Sequence, residues 1–187
     1  MKPPGQAGDP NPNEATVRRV SPPMPDLVSR AAADDLLARA WAAAGEDPAL
    51  ALDLARQAES LTGGFQAGRA DALTVQAGVL VRLSRFEDAV KAATRAARAA
   101  AAAGAGATHL QALDHAAAAE YYLGNLEEAV RRFEEMLALR ATLGLEPVDA
   151  ATLNRVGVLH LELGNTTRAV DWLRESQRLA SAVGDAR

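Results

Sequence analysis

Apolar residues after position 25 recur at helical spacing, three and four apart, and no run alternates with a period of two. This pattern predicts an all-α chain from about residue 26 onward. Asp47-Pro48 supplies an N-cap followed by a first-turn proline. Ser84 with Glu87 and Asn125 with Glu128 have capping-box spacing. Thr108 and Asp149 are further N-cap candidates. Gly45, Gly63, Gly104, Gly124, Gly144, Gly164 and Gly184 each follow an apolar-periodic stretch, where a left-handed C-cap belongs. Residues 1–25 differ in kind. They hold seven of the nine prolines and few large apolar side chains, so they read as a disordered tail.

The helical pattern also repeats. Leu73, Leu113 and Leu153 are spaced by 40, as are Ala77, Ala117 and Gly157. The same spacing joins Leu83, Leu123 and Leu163, then Ser84, Gly124 and Gly164, then Ala89, Ala129 and Ala169. A weaker copy precedes them through Ala51 and Ala58. Four units follow, at about 31–66, 69–107, 109–147 and 149–184. Each is two helices joined by a turn too short for anything but an antiparallel pair. Small residues at fixed register let the two backbones approach closely, and large ones there would overpack.

Leu153, Gly157, Gly164 and Ala169 resemble the tetratricopeptide repeat (TPR) pattern of a large apolar residue, a small residue, a turn glycine and a second-helix alanine. Leu113, Ala117, Gly124, Ala129 and Phe133 repeat it, and so do Leu73, Ala77, Phe86 and Ala89, with Ser84 for the glycine. The resemblance covers roughly residues 31–183. The spacing departs from the usual repeat of ~34 residues and looks like the long variant found in kinesin light chains and bacterial regulators. HEAT or armadillo arrays, with periods of ~40–47, and a self-contained helical bundle are the structural rivals. The resemblance implies an α-solenoid of about eight helices whose first helices line a concave groove.

By register, groove-facing positions are Asp71, Thr74, Val75 and Arg82, then Asp114, His115, Tyr121 and Tyr122, then Asn154, Arg155 and Glu162. An Asn154 amide suits a peptide backbone, and Arg155 suits a carboxylate. Of the only tyrosine pair, one ring is expected in the core and the other free to anchor a partner. The family's clamp for a C-terminal carboxylate needs first-helix lysines, and this array has none. His160 is expected as a hydrogen-bonded core residue and His109 in a turn. Val170, Leu173, Leu179 and Val183 form a candidate end-to-end interface between copies.

Composition narrows the chemistry. Alanine makes up about a quarter of the chain, isoleucine and cysteine are absent, and the net charge is −4. The acidic balance and pI of about 5.4 disfavour nucleic acid. The lack of cysteine excludes a thiolate metal site, and His115 beside Asp114 has no further ligand one turn away. There is no nucleophile elbow, phosphate loop or dinucleotide fingerprint. Neither a membrane span nor a secretory leader is expected, so the default location is cytoplasmic. No catalysis, metal or cofactor is expected. The sequence points to a protein- or peptide-binding scaffold. The alternative is the sensory or oligomerising arm of a bacterial signalling or transcription regulator.

Overall fold

The computed structural model describes residues 27–145 and 148–184. The Pro-rich segment 1–25 lies outside the described residues. Eight helices follow in order among them: α1 (Leu27–Ala43), α2 (Pro48–Leu61), α3 (Gln66–Arg82), α4 (Phe86–Ala103), α5 (Gly106–Tyr122), α6 (Leu126–Thr142), α7 (Ala150–Glu162) and α8 (Thr166–Gly184). Each packs on its neighbours in the chain. The odd helices also meet through α1 with α3 and α3 with α5, whereas the even helices keep their Cα atoms more than 8 Å apart and meet through side chains, Arg95 with Glu59 and Arg168 with Glu134. An inner row of first helices and an outer row of second helices result, with contacts confined to adjacent units as in a solenoid.

Local chemistry sets the helix ends. Asp47 Oδ1 accepts from the Leu50 amide at 3.0 Å, and Pro48 starts α2. Asp149 Oδ1 accepts from the Thr152 amide at 2.9 Å and starts α7. The two expected capping boxes do not form. Arg85, not Ser84, is the N-cap of α4, and Asn125, though the N-cap of α6, donates its side-chain amide back to Glu120 at 2.7 Å and makes no side-chain cap bond. Thr108 sits inside α5 and donates its hydroxyl to Asp71 at 2.7 Å.

Helix ends follow the repeat more closely. The amides of Arg85, Asn125 and Asn165 reach back to the carbonyls of Leu80, Glu120 and His160 at 2.8–2.9 Å. This is the six-to-one bond of a Schellman turn, which needs a left-handed residue just before the donor. Gly124 and Gly164 supply it with φ of 80° and 74°, and Ser84 takes the same conformation at 56° without being glycine. Gly45 is not left-handed, and Gly184 is the last residue of α8 rather than a cap beyond it.

The core changes along the array. Around α3, α4 and α5 it is mostly alanine, with Ala70, Ala77, Ala89, Ala93, Ala96, Ala100, Ala112, Ala117 and Ala119 all 0% exposed. Further on, Phe133, Met136, Leu139, Val156 and Leu159 form one cluster with Trp172. Among the described residues no helix is long and apolar enough to cross a membrane.

Candidate functional site

The α5–α7 face is where the inner row opens. Nowhere do the Cα atoms of α5 and α7 come within 8 Å, although those of α3 and α5 do. Gly78 explains the closer pair. A Cβ added there would sit 2.9 Å from His115 Nε2, so the missing side chain lets α5 lie against α3. Between α5 and α7, by contrast, small Ala118 at the register of Gly78 is flanked by the larger Tyr121, Tyr122 and Arg155, and α7 starts only after the long connection 143–149.

A cavity of about 210 Å3 lies in this gap, lined by Ala118, Tyr121, Tyr122, Phe133, Asn154, Arg155, Val158 and Leu159. Its floor is the Phe133 ring of α6, 2% exposed. Its rim is held by two bridges between α5 and α7. Arg155 pairs with Asp114 Oδ1 at 2.9 Å and donates to Thr152 Oγ1 at 3.1 Å, while its guanidinium stands 5.3 Å from the Phe133 ring centroid. The Tyr121 hydroxyl donates to Glu162 Oε1 at 3.1 Å, and this bond to a carboxylate pushes the phenol above its usual range.

Neither tyrosine enters the core, contrary to the expectation that one would. Tyr121 is 37% and Tyr122 60% exposed. Tyr122 is nonetheless held, because its ring stacks on Phe86 at 4.8 Å with an interplanar angle of 17°. Two half-exposed rings beside a deep third one give an apolar slot with a polar edge at Asn154 and Arg155.

The structure thus brings Tyr121, Tyr122, Asn154 and Arg155 to one cavity and sets Asp114 and Glu162 at its rim. His115 is turned away into the α3 interface at Gly78, and burial holds its imidazole below the ordinary histidine range, opposed by the Asp114 carboxylate. Arg82 is exposed in the last turn of α3 and does not line the cavity. Thr74 and Val75 are corrections: both are 2% exposed and belong to the core. Phe133, Ala118, Val158 and Leu159 were absent from the sequence-derived site. Phe133 was visible as the aromatic four residues after Ala129, and its reach under the first helices was the missing step.

His160 is 1% exposed, as a core position requires, but neither ring nitrogen has a hydrogen-bond partner. Burial pushes its pKa down, Arg168 pushes the same way, and Glu134 opposes them. His109 lies in the first turn of α5 rather than between helices. Of the end-face set, Val170 is 36% exposed and Leu179 half-buried. Leu173 sits against Gly157 within the α7–α8 pair, and the Val183 side chain lies outside the described residues. Among the described residues no group of three or more metal-ligating side chains gathers.

No family model matches the chain, and no curated relative matches it. Solved structures do. Aspartyl phosphate phosphatase F from Bacillus subtilis aligns at a TM-score of 0.73 and 16% identity, over 82% of this chain and 41% of that one. RapI in its apo form aligns at 0.75 and 11%, over 83% and 58%. MamA aligns at 0.65 and 13%, over 82% and 81%. The chain therefore spans about half the length of the first two of these neighbours. At such identities the likeness establishes the fold, a TPR-like helical solenoid.

Proposed function

We propose that this chain is a non-catalytic scaffold that holds a protein or peptide partner in the α5–α7 cleft. The observation that carries the reading is the cavity of about 210 Å3 with Tyr121 and Tyr122 half-exposed at its mouth. That volume is below the ~300–1,000 Å3 of small-molecule pockets and suits one inserted side chain. Tyrosine supplies contact area at low entropic cost, and Asn154 offers both donor and acceptor to a backbone. Arg155 is engaged by Asp114, so an incoming carboxylate would exchange one partner for another. A Rap protein, similar in fold at a TM-score of 0.68 and 17% identity, was solved in complex with Competence and Sporulation Factor, which supports this use of the architecture.

A photo-crosslinking residue at Ala118 is expected to capture a partner that the same residue at exposed Ser181 on α8 does not. Arg155→Glu with Tyr122→Ala should abolish that capture with helicity unchanged. Undiminished capture by the double variant would remove the cleft assignment.

The second reading, an arm of a signalling regulator, draws on the larger neighbours, of which this chain aligns with 41% and 58%. Adjacent in-frame coding sequence for an output domain would support it, and a stop codon after Arg187 would oppose it.

A further inference from the structure

A second polar feature lies on α2, α3 and α4, away from the cleft. Arg69 of α3 and Arg95 and Arg98 of α4, with Gln66 and Ala99, border an open hollow of about 210 Å3. Arg69 also borders an adjoining hollow with Arg56 and Glu59 of α2. Arg95 and Arg98 share a face of α4 because they are three residues apart. Ala96 and Ala100 are buried on the packed side of that helix, and Ala99, also buried, borders the hollow beside the guanidiniums.

One carboxylate serves this group. Glu59 Oε1 meets Arg95 at 2.5 Å and Arg69 at 3.7 Å, while Oε2 accepts from Gln76 at 2.9 Å. Among the described residues no carboxylate pairs with Arg98 or Arg56 within 4.0 Å. Four guanidiniums therefore line two adjoining hollows whose one lining carboxylate is Glu59, in a chain of net charge −4. The first turn of α3 adds to the same field, since it holds no acidic residue and its N-cap Phe65 makes no side-chain cap bond.

We propose that this hollow binds a phosphate group, as the free anion or as a monoester. A further carboxylate would leave most of the positive charge uncompensated, whereas a phosphate brings about −1.5 to −2 at pH 7 with three acceptor oxygens. Guanidinium forks meet such oxygens bidentately. The site is separate from the cleft: Arg98 is about 18 Å along α4 from Phe86, on which Tyr122 stacks. The hollow is open, so the phosphate arrives either free or on a phosphorylated side chain.

Calorimetric titration at constant ionic strength tests this with three probes: inorganic phosphate, a Gly–Ser peptide with one phosphoserine, and the same peptide with Glu in its place. Phosphate-bearing probes should bind, should weaken as sodium chloride rises, and should lose at least tenfold in Arg98→Gln. That variant keeps its helicity because Arg98 holds no other side chain. Arg39→Gln, which removes one exposed charge from α1, should bind as the parent does. A phosphopeptide tighter than inorganic phosphate assigns the site to phosphorylated chains, and equal binding assigns it to the free anion. Equal binding of the Glu peptide, equal loss in Arg39→Gln, or no binding of either phosphate probe overturns the proposal.

Discussion

The α3–α4–α5 block and the α5–α6–α7 junction come from the same repeat, yet one is closed and the other holds a cleft. In the first, alanines at 0% exposure and Gly78 bring neighbouring helices together, and Gly104-Ala105 alone joins α4 to α5. In the second, Phe133 and the α5 tyrosines take the equivalent space, seven residues connect α6 to α7, and α7 has 13 residues where α5 has 17. Side-chain size at a few registered positions decides whether inner helices touch or leave room for a ligand. Where they do not touch, two side-chain bridges hold the gap.

The strongest way to break the contrast is to remove the wedge. Phe133→Ala empties the floor of the cleft and should cost about 3–5 kcal/mol. For a chain of this size that lowers the melting temperature by roughly 6–20 °C. Because coupling in a solenoid runs only between neighbours, α7 and α8 should melt before α1–α5. Hydrogen exchange resolved along the chain would show it, and uniform loss of protection would refute the division into two regions.

A matched pair of substitutions sharpens the comparison. Ala77→Leu adds three heavy atoms to a closed layer and should cost ~1–3 kcal/mol. Ala118→Leu adds the same atoms where a cavity waits and should leave thermal stability nearly unchanged while blocking partner capture. Equal destabilisation of both variants would mean that the cleft is packed like the block.

The closed block was the more legible of the two in sequence. Its registered alanines carry the packing, and the 40-residue spacing of Ser84, Gly124 and Gly164 marked three real left-handed turns. The cleft was legible in its members but not in its geometry. Asp114 with Arg155 and Tyr121 with Glu162 are each 41 residues apart, one repeat plus one, so the bridging register was present as a spacing between complementary groups. His115 was not legible, because its direction depends on Gly78 in the preceding unit. The capping boxes failed for a local reason. The Schellman turn places the following residue so that Arg85 and Asn125 become N-caps by backbone alone.

Acid should weaken the two regions unequally. His160 in α7 and His115 in α5 are both held below the ordinary value of 6.5 by burial. A depressed histidine stays neutral in the folded chain while the unfolded chain takes up a proton. Its contribution is therefore complete above about 6.5 and is lost as pH falls through that value toward the folded pKa, at up to ~1.4 kcal/mol per pH unit. A carboxylate offsets part of this for each, Asp114 for His115 and Glu134 for His160, but only His160 has a cation, Arg168, that adds to burial, so the α7–α8 pair should yield first. Asp149 and Glu128, whose pKa values are lowered, act only further into acid. His160→Leu should flatten denaturant midpoints between pH 7 and 5 and raise them at pH 7, since both ring nitrogens lack partners. An unchanged acid slope would place the sensitivity elsewhere.

The smallest expected effect concerns the bridges themselves. Asp114 and Arg155 are 33% and 46% exposed, so solvent screens the pair, and a double-mutant cycle with Asp114→Asn and Arg155→Gln should return only ~0.2–1 kcal/mol. A bridge that weak cannot hold the array together, but it occupies the guanidinium that a partner's carboxylate would meet. Asp114→Asn frees the guanidinium while leaving Tyr121 and Glu162 in place. Partners that carry a carboxylate should then bind more tightly, and uncharged ones should not change. A coupling energy of several kcal/mol would instead make the α5–α7 face a closed interface like α3–α5, and the difference between the two regions would be one of composition only.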